Sequence, residues 1–356
     1  MAHLLSDTPL PQSLPHVSTL FLTVSTNAYR GRIAPSPTGY LHIGHAHTFH
    51  RAWQRARQRR GVLVLRMEDL DPDRSRPEYA QAALEDLHWL NIDWDEGPDL
   101  GGPYAPYEQS LRADVYRSAW EKLRKRGFIY PCRCSRKDLA AALSAPHEDT
   151  GNPGVRGNEL DDEPVYPGTC RPSHSGDSTL DLSPEFAYGP GGLNWRFRVP
   201  DGEIIEFNDA NLGSQRFIAG IDFGDFLVWR REGPEAPRMG PRSRGGDPGS
   251  PPMGPRPLGS GIPSYQLACV ADDFAMHITE VVRGADLLKS TARQILLNRA
   301  LGYPAPNWFH CELIVDEQGR RLAKRHDALS IRELRRRGMS PSDIFRAYSS
   351  PEPPHS

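Results

Sequence analysis

Long apolar runs are missing from this sequence of 356 residues, and none approaches the roughly 20 residues needed to cross a bilayer. The N-terminus also lacks a charged start followed by a small-residue cleavage site, so nothing indicates export. The chain has five cysteines, an odd number that argues against a disulfide framework and for a reducing compartment. We therefore expect a cytoplasmic protein with no membrane partner.

Net charge is also small, at −2, which excludes a globally basic nucleic-acid binder. Contact with nucleic acid must then be local, and arginine clusters do occur at 55–60 and 320–337. No Gly-x-Ser-x-Gly elbow is present and the cysteines look structural, so we expect no protein nucleophile. The hydrophobic fraction of 38% permits a core, and the length favours more than one domain.

The most informative stretch runs from Arg32 to His45 and reads RIAPSPTGYLHIGH. Its prolines and glycine predict a strand end and a stiff turn, with a helix beginning near Gly44. Free backbone N–H groups at a helix start favour an anion, and the imidazoles of His42 and His45 can donate to phosphate oxygens. A bare His-x-x-His pair is more often an ordinary polar helix start, so that alternative stays open on these residues alone.

A strand over 27–33, this helix and the apolar run at 62–67 predict a parallel crossover. The expected fold is α/β, a Rossmann-type doubly wound sheet with its ligand site at the carboxyl ends of the strands. Four acidic residues follow the second strand. Asp71 and Asp73 fit a solvated loop.

The stretch from Pro35 to His45 resembles the first signature of class I aminoacyl-tRNA synthetases in its glutamyl form. The resemblance implies that ATP is a substrate, bound at His42, Gly44 and His45, and that the two histidines act on its phosphates. Residues 66–69, 263–273 and 277–288 resemble the family's amino-acid pocket and second half of the catalytic domain. The residues implied to bind L-glutamate are Arg32, Ile33, Ala34, Pro35, Ser36, Glu68, Tyr265 and Arg283. For Arg283 the alternative is a structural ion pair with Glu280 or Asp286.

Residues 311–325 predict a strand beginning at Cys311, a turn closed by Gly319 and a basic run. The run Arg321-Leu-Ala-Lys324 resembles the second class I signature, usually Lys-hydrophobic-Ser-Lys, and departs from it at two positions. Lys324 is still expected to be catalytic and to bind the ATP phosphates. The implied reaction is attack by a glutamate carboxylate on the α-phosphate, with Mg²⁺ held mostly by phosphates and water.

A Cys-x-Cys motif at 132–134 is followed by a Tyr-x-x-x-Cys motif at 166–170. Three sulfurs and one phenol or imidazole could complete a tetrahedral metal site, and His147 and His174 are the conventional alternatives to the phenol. Glutamyl-queuosine tRNA(Asp) synthetases carry this pair of motifs. That resemblance implies one structural Zn²⁺ bound by Cys132, Cys134, Tyr166 and Cys170.

Only 32 residues follow Lys324, too few for a helical anticodon-binding domain. With the metal pattern, this resembles glutamyl-queuosine tRNA(Asp) synthetases across about 28–345. The resemblance implies that glutamate goes to queuosine in the tRNA(Asp) anticodon stem-loop, with Arg335 to Arg337 as candidate phosphate contacts. The alternatives are a paralogue that charges a tRNA 3′ end and a non-catalytic RNA- or amino-acid-binding relic. We expect a monomer.

The predicted organisation has eight segments. They are a weakly ordered extension (1–27), the first half of the catalytic domain with the start of an insertion (28–127), a zinc-binding subdomain with a mobile loop (128–192), a strand-rich part of the insertion (193–232), a disordered Gly/Pro/Arg insertion (233–261), the second half of the catalytic domain (262–310), the second signature with C-terminal helices (311–349) and a tail (350–356).

Overall fold

The computed structural model describes residues 28–134, 165–173, 190, 192–231, 261–314 and 330–347. The predicted extension 1–27, residues 233–260 of the Gly/Pro/Arg insertion and the tail 350–356 lie outside the described residues. The described helices are α1 (Ile43–Gln58), α2 (Pro77–Trp89), α3 (Ala113–Lys125), α4 (Tyr265–Ala275), α5 (Leu288–Leu301), α6 (Ile331–Arg336) and α7 (Pro341–Ala347). The described strands are β1 (Arg30–Ile33), β2 (Val62–Leu65), β3 (Ile129–Cys132), β4 (Asn194–Phe197), β5 (Ile204–Asp209), β6 (Gly213–Ile218), β7 (Phe226–Arg230), β8 (Ile262–Pro263), β9 (Glu280–Gly284) and β10 (Asn307–Cys311).

The predicted parallel crossover is confirmed: β1 pairs with β2 in parallel, and α1 connects them. Ile33 at the end of β1 lies level with Leu65 at the end of β2, so both strands finish at the same edge. Helix α1 buries an apolar stripe at three- and four-residue spacing. The buried residues of that stripe are Ile43, Ala46, Phe49, Ala52 and Ala56.

A second parallel region consists of β9 and β10, with β5 parallel to β10 on its other side and β6 antiparallel to β5. Thr279, just before β9, donates its backbone N–H to the carbonyl of Arg30 at 2.9 Å. This bond brings β9 beside β1. The carboxyl ends of β1, β2 and β9 consequently meet in one region of the molecule.

The strand predicted to begin at Cys311 is wrong, because β10 ends at that residue and begins at Asn307. Residues 312–314 are not strand. The sequence Asn-Trp-Phe-His-Cys does not look like a buried strand because His310 interrupts its apolar pattern. His310 is nevertheless fully buried, since its ring contacts Asp209 on β5 at 2.6 Å.

A separate antiparallel sheet has the order β3-β4-β7-β8. It packs on α3 through a tryptophan cluster, in which Trp120 meets Trp195 edge to face with ring centroids 5.0 Å apart. The segment predicted as one strand-rich insertion, 193–232, is therefore divided between two sheets. Strands β4 and β7 belong to the antiparallel sheet, whereas β5 and β6 extend the sheet of β9 and β10.

The last two described helices pack against the first crossover. Ile331, Leu334 and Ile344 join the core formed by α1 and α2. Ile331 also donates its backbone N–H to the carbonyl of Leu41 at 2.8 Å, next to the first signature. None of the helices in the described ranges combines the length and apolarity that a bilayer-spanning segment needs.

Candidate active site

A cavity of about 360 Å³ lies where the ends of β1, β2 and β9 meet the start of α1. Nine of the sequence-predicted residues line it: Arg32, Ala34, Ser36, His42, Gly44, His45, Glu68, Tyr265 and Arg283. Ile33 and Pro35 are not among its lining residues, and the side chain of Ile33 is completely buried in the core beneath. Lys324 lies outside the described residues.

The two histidines of the signature form the start of α1. His42 is the N-cap, and its Nδ1 accepts the N–H of Gly44 at 3.1 Å, while the Nδ1 of His45 accepts the N–H of His42 at 3.4 Å. Their rings stack with centroids 3.7 Å apart. Because each Nδ1 accepts a backbone N–H, a neutral ring carries its proton on Nε2. The capping bonds thus fix both ring orientation and tautomer, and make each Nε2 a donor.

Glu68 is held at the cavity wall by a buried ion network. The fully buried Arg66 donates to Glu68 Oε1 at 3.0 Å and to Asp273 at 2.6 Å. Burial alone would lower the pKa of Arg66, but the carboxylates of Asp273, Glu68 and Asp272 raise it well above its usual value. The thiol of Cys269 also reaches Glu68 Oε1, at 3.5 Å. Glu68 Oε2 has no donor among the described residues, so it can accept from a cation in the cavity.

A positive charge, opposite in sign to that of Glu68, comes from Arg283, which is only 4% exposed. Its Nε donates to His310 Nε2 at 3.2 Å, Nη1 to Gln294 at 2.9 Å and Nη2 to Thr291 at 2.6 Å. These acceptors are all uncharged. Glu280, one suggested ion-pair partner, contacts Arg55 instead at 2.6 Å.

Within the described residues no carboxylate lies within 4.0 Å of the Arg283 nitrogens. Two of its five N–H groups are not used by the three acceptors above. The cavity therefore contains a buried cation whose charge is not cancelled by direct contact. Such a group favours an anionic ligand, and a carboxylate can accept two parallel hydrogen bonds from it.

Tyr265 is the first residue of α4, and Ser264 caps that helix by accepting the N–H of Leu267 at 3.3 Å. Burial raises the pKa of Tyr265 well above its usual value, so the phenol stays protonated. A protonated phenol in the cavity wall can donate one hydrogen bond to an acceptor on a ligand.

Sequence reasoning missed the residues that support the site. Asp272 accepts from Arg112 at 2.7 Å and Tyr116 at 2.9 Å, and Asp273 anchors Arg66. Two adjacent acids on an otherwise apolar helix were the available signal. Five more residues line the cavity although no sequence motif pointed to them: Thr48, Phe49, Glu312, Leu313 and Ile314.

The four predicted metal ligands lie together at the end of β3. The sulfurs of Cys132, Cys134 and Cys170 are all within 4.8 Å of one another, and the Tyr166 hydroxyl is 3.5 Å and 3.6 Å from the first two. Tetrahedral zinc with Zn–S bonds of about 2.3 Å places thiolates about 3.8 Å apart, so the cluster fits such an ion. Arg196 strengthens the fit, since its Nε lies 3.4 Å from Cys132 Sγ. His147 and His174 lie outside the described residues.

Comparison with known proteins places these features in a family. The model for tRNA synthetases class I (E and Q), catalytic domain, matches residues 28–152 and 259–349. A glutamyl-Q tRNA(Asp) synthetase from Symbiobacterium thermophilum is 43% identical over 318 residues, which cover 88% of this chain and 83% of the relative. Another from Nitratidesulfovibrio vulgaris is 42% identical over 316 residues, with the same two shares.

The fold agrees with this match. A solved glutamate tRNA ligase from Elizabethkingia meningosepticum, in complex with its amino acid, superposes with a TM-score of 0.62 and 27% identity. The match covers 88% of this chain and 53% of the ligase, so the chain spans about half the length of that protein. The mixed α/β fold described above is the class I synthetase catalytic-domain fold.

Proposed function

Because this chain belongs to the class I tRNA synthetases (E and Q) and is a ligase, we propose that it activates L-glutamate with ATP and transfers the glutamate to queuosine in the anticodon of tRNA(Asp). The activation step needs no tRNA. The observation that carries the proposal is the Arg283 guanidinium, which contacts no carboxylate among the described residues and shares one cavity with Glu68 and the capped histidines.

In the amino-acid half of the cavity, Arg283 receives the side-chain carboxylate of glutamate and Glu68 Oε2 receives its α-ammonium. The two protein charges have opposite sign, so a zwitterionic amino acid with one extra carboxylate leaves neither unmatched. Tyr265 adds a neutral donor, and the surrounding walls are Arg32, Ala34 and Ser36. A neutral glutamine side chain would leave the buried guanidinium without an anion, which disfavours it.

In the nucleotide half, the Nε2 atoms of His42 and His45 donate to ATP phosphates, and the start of α1 adds backbone N–H groups near Gly44. An oxygen of the glutamate α-carboxylate attacks the α-phosphorus in line, and the bond from that phosphorus to the bridging oxygen of the β-phosphate breaks. Pyrophosphate leaves. Catalysis comes from positioning and from stabilising charge on the phosphates, and Mg²⁺ enters with ATP. Lys324 is proposed to reach the same phosphates.

The proposal that queuosine in tRNA(Asp) is the acceptor is supported by the names of two relatives, each matched over 83% of its length. The cavity itself carries no information about the acceptor. The arginines at the C-terminal end of α6 are candidates for phosphate contact: Arg336 and the following Arg337 are exposed, and both pair with Glu333 at 2.8 Å. Exposed pairs of this kind contribute little to stability, so RNA phosphates can replace Glu333 at small cost. The same proposal includes a monomer in the cytoplasm.

One structural Zn²⁺ is part of the proposal, with Cys132, Cys134, Tyr166 and Cys170 as its ligands. These residues come from the end of β3 and from the 165–173 segment. A metal there would link that segment to the antiparallel sheet through the ligand bonds, in addition to the contacts of Tyr166 and Arg171.

Two assays test the proposal. The first is pyrophosphate exchange driven by glutamate and ATP without tRNA; exchange supports an activating enzyme, and its absence at saturating substrates supports the binding relic. The second follows labelled glutamate onto tRNA(Asp) with and without queuosine, and maps the label after nuclease cleavage. Label in the anticodon fragment of the modified tRNA alone is expected. Label at a 3′ end, above all on tRNA(Glu), would identify a paralogue of the glutamate ligases instead.

A further inference from the structure

The guanidinium of Arg283 is oriented by a buried pair that the proposed chemistry does not itself use. His310 on β10 and Asp209 on β5 lie behind Arg283, and neither side chain is more than 1% exposed. His310 Nδ1 is 2.6 Å from Asp209 Oδ2, and His310 Nε2 is 3.2 Å from Arg283 Nε. The three side chains form a chain from carboxylate to imidazole to guanidinium.

Hydrogen-bond direction fixes the state of the imidazole. The Nε of Arg283 can only donate, so His310 Nε2 must accept and the ring proton must lie on Nδ1, where it is donated to Asp209. A doubly protonated ring would place two N–H donors against each other. Burial lowers the pKa of His310 even though Asp209 opposes this, and the charge of Arg283 lowers it further. His310 is therefore a neutral acceptor.

Asp209 is held as a carboxylate by several donors. Its oxygens accept the backbone N–H groups of Asn211 at 3.0 Å, Leu212 at 2.9 Å and His310 at 3.1 Å, as well as the imidazole N–H. Burial would raise the pKa of Asp209, but the bonds from His310 and Leu212 outweigh it and the pKa is lowered. An ionised Asp209 keeps the proton of His310 on the Nδ1 side.

The separation of the charges is what gives this arrangement a function. A carboxylate placed directly on Arg283 would orient the guanidinium equally well, but it would cancel the charge that a ligand needs. A neutral imidazole orients the same nitrogen and leaves the charge in place, and Thr291 and Gln294 do the same for the other two nitrogens.

We infer that Asp209 and His310 are positioning residues that set the amino-acid specificity of the site: they hold Arg283 ready for the side-chain carboxylate of the substrate without neutralising it. The inference rests on the proposed function, in which Arg283 receives that carboxylate. It predicts that selection of glutamate over glutamine depends on a pair that touches neither amino acid.

The test compares wild type with His310→Phe, His310→Gln and Asp209→Asn in tRNA-independent pyrophosphate exchange, with glutamate and with glutamine. His310→Phe removes the acceptor while keeping a flat ring, whereas His310→Gln retains an acceptor near the position of Nε2. The KM for glutamate should rise about tenfold in His310→Phe, as expected for one lost hydrogen bond to a charged group, and return to within about threefold in His310→Gln. The KM for ATP should not change in either, and the preference for glutamate over glutamine should fall in His310→Phe.

Asp209→Asn covers the case in which His310→Phe does not fold, because an amide oxygen can still accept the backbone N–H groups. It should raise the KM for glutamate by about threefold. An unchanged KM for glutamate in the folded variants, or equal increases for glutamate and ATP, would overturn the inference while wild-type exchange keeps the proposed function. Absence of glutamate-driven exchange in wild type would remove both.

Discussion

Replacing Arg283 with lysine separates the charge of the guanidinium from its geometry. Lysine keeps one positive charge but cannot present two parallel N–H groups to a carboxylate. Three of the five N–H groups of Arg283 are used by His310, Gln294 and Thr291, which leaves two for the ligand. Loss of one charge-assisted hydrogen bond costs about 2 kcal/mol, so the KM for glutamate should rise about 30-fold in Arg283→Lys.

The assay is glutamate-driven pyrophosphate exchange without tRNA, with KM measured separately for glutamate and ATP. A matched control is Arg55→Lys, since Arg55 is also a largely buried arginine but pairs with Glu280 and does not line the cavity. We expect the control to keep the KM values of wild type even if its melting temperature falls. A KM for glutamate within twofold of wild type in Arg283→Lys, in a folded protein, would refute the pocket assignment.

Three further outcomes are expected. Metal analysis of protein prepared without chelators should find about one zinc ion per chain. Cys170→Ser should lose most of this zinc, whereas the control Cys311→Ser, outside the cluster, should keep it. Burial raises the pKa of Asp86 to about 6. Between about pH 4 and pH 6 the folded state therefore keeps a proton that the unfolded chain has lost. Because of this difference, the free energy of unfolding falls as the pH rises through that range. Asp86→Asn should remove this dependence and raise the free energy of unfolding at pH 7 by about 2 kcal/mol in urea titrations; equal stability of the two proteins at pH 7 would contradict it. Lys324→Ala should lower the rate of pyrophosphate exchange at least 100-fold with little change in glutamate binding by calorimetry, and a rate near that of wild type would remove Lys324 from the phosphate site.

The sequence alone predicts those parts of the structure in which a local residue pattern determines the local geometry. The apolar runs and the Pro/Gly turn between them predicted the β1-α1-β2 crossover, since a strand, a helix and a second strand at this spacing allow few arrangements. The resemblance of the two cysteine motifs to those of a known family likewise indicated which four side chains lie together. In both cases the information lies in short motifs.

The features that the sequence does not predict depend on contacts between residues that are far apart in the chain. The local pattern does not predict β10, because a buried His310 needs the carboxylate of Asp209 as its hydrogen-bond partner. Asp209 lies 101 residues away in the sequence. The division of 193–232 between two sheets was missed for a related reason: alternation predicts strands but not their partners. The role of Asp272 and Asp273 depends in the same way on arginines far along the chain.

The hairpin of β5 and β6 limits how this enzyme can be re-engineered. The segment that carries the cysteine cluster also supplies β5, which lies against β10 and places Asp209 behind His310. Excising the whole of it would leave an unpaired sheet edge and a buried imidazole without its acceptor. Deletions that remove the cysteine cluster but keep β5 and β6 with their original sheet should retain amino-acid activation, whereas removal of the whole segment should not.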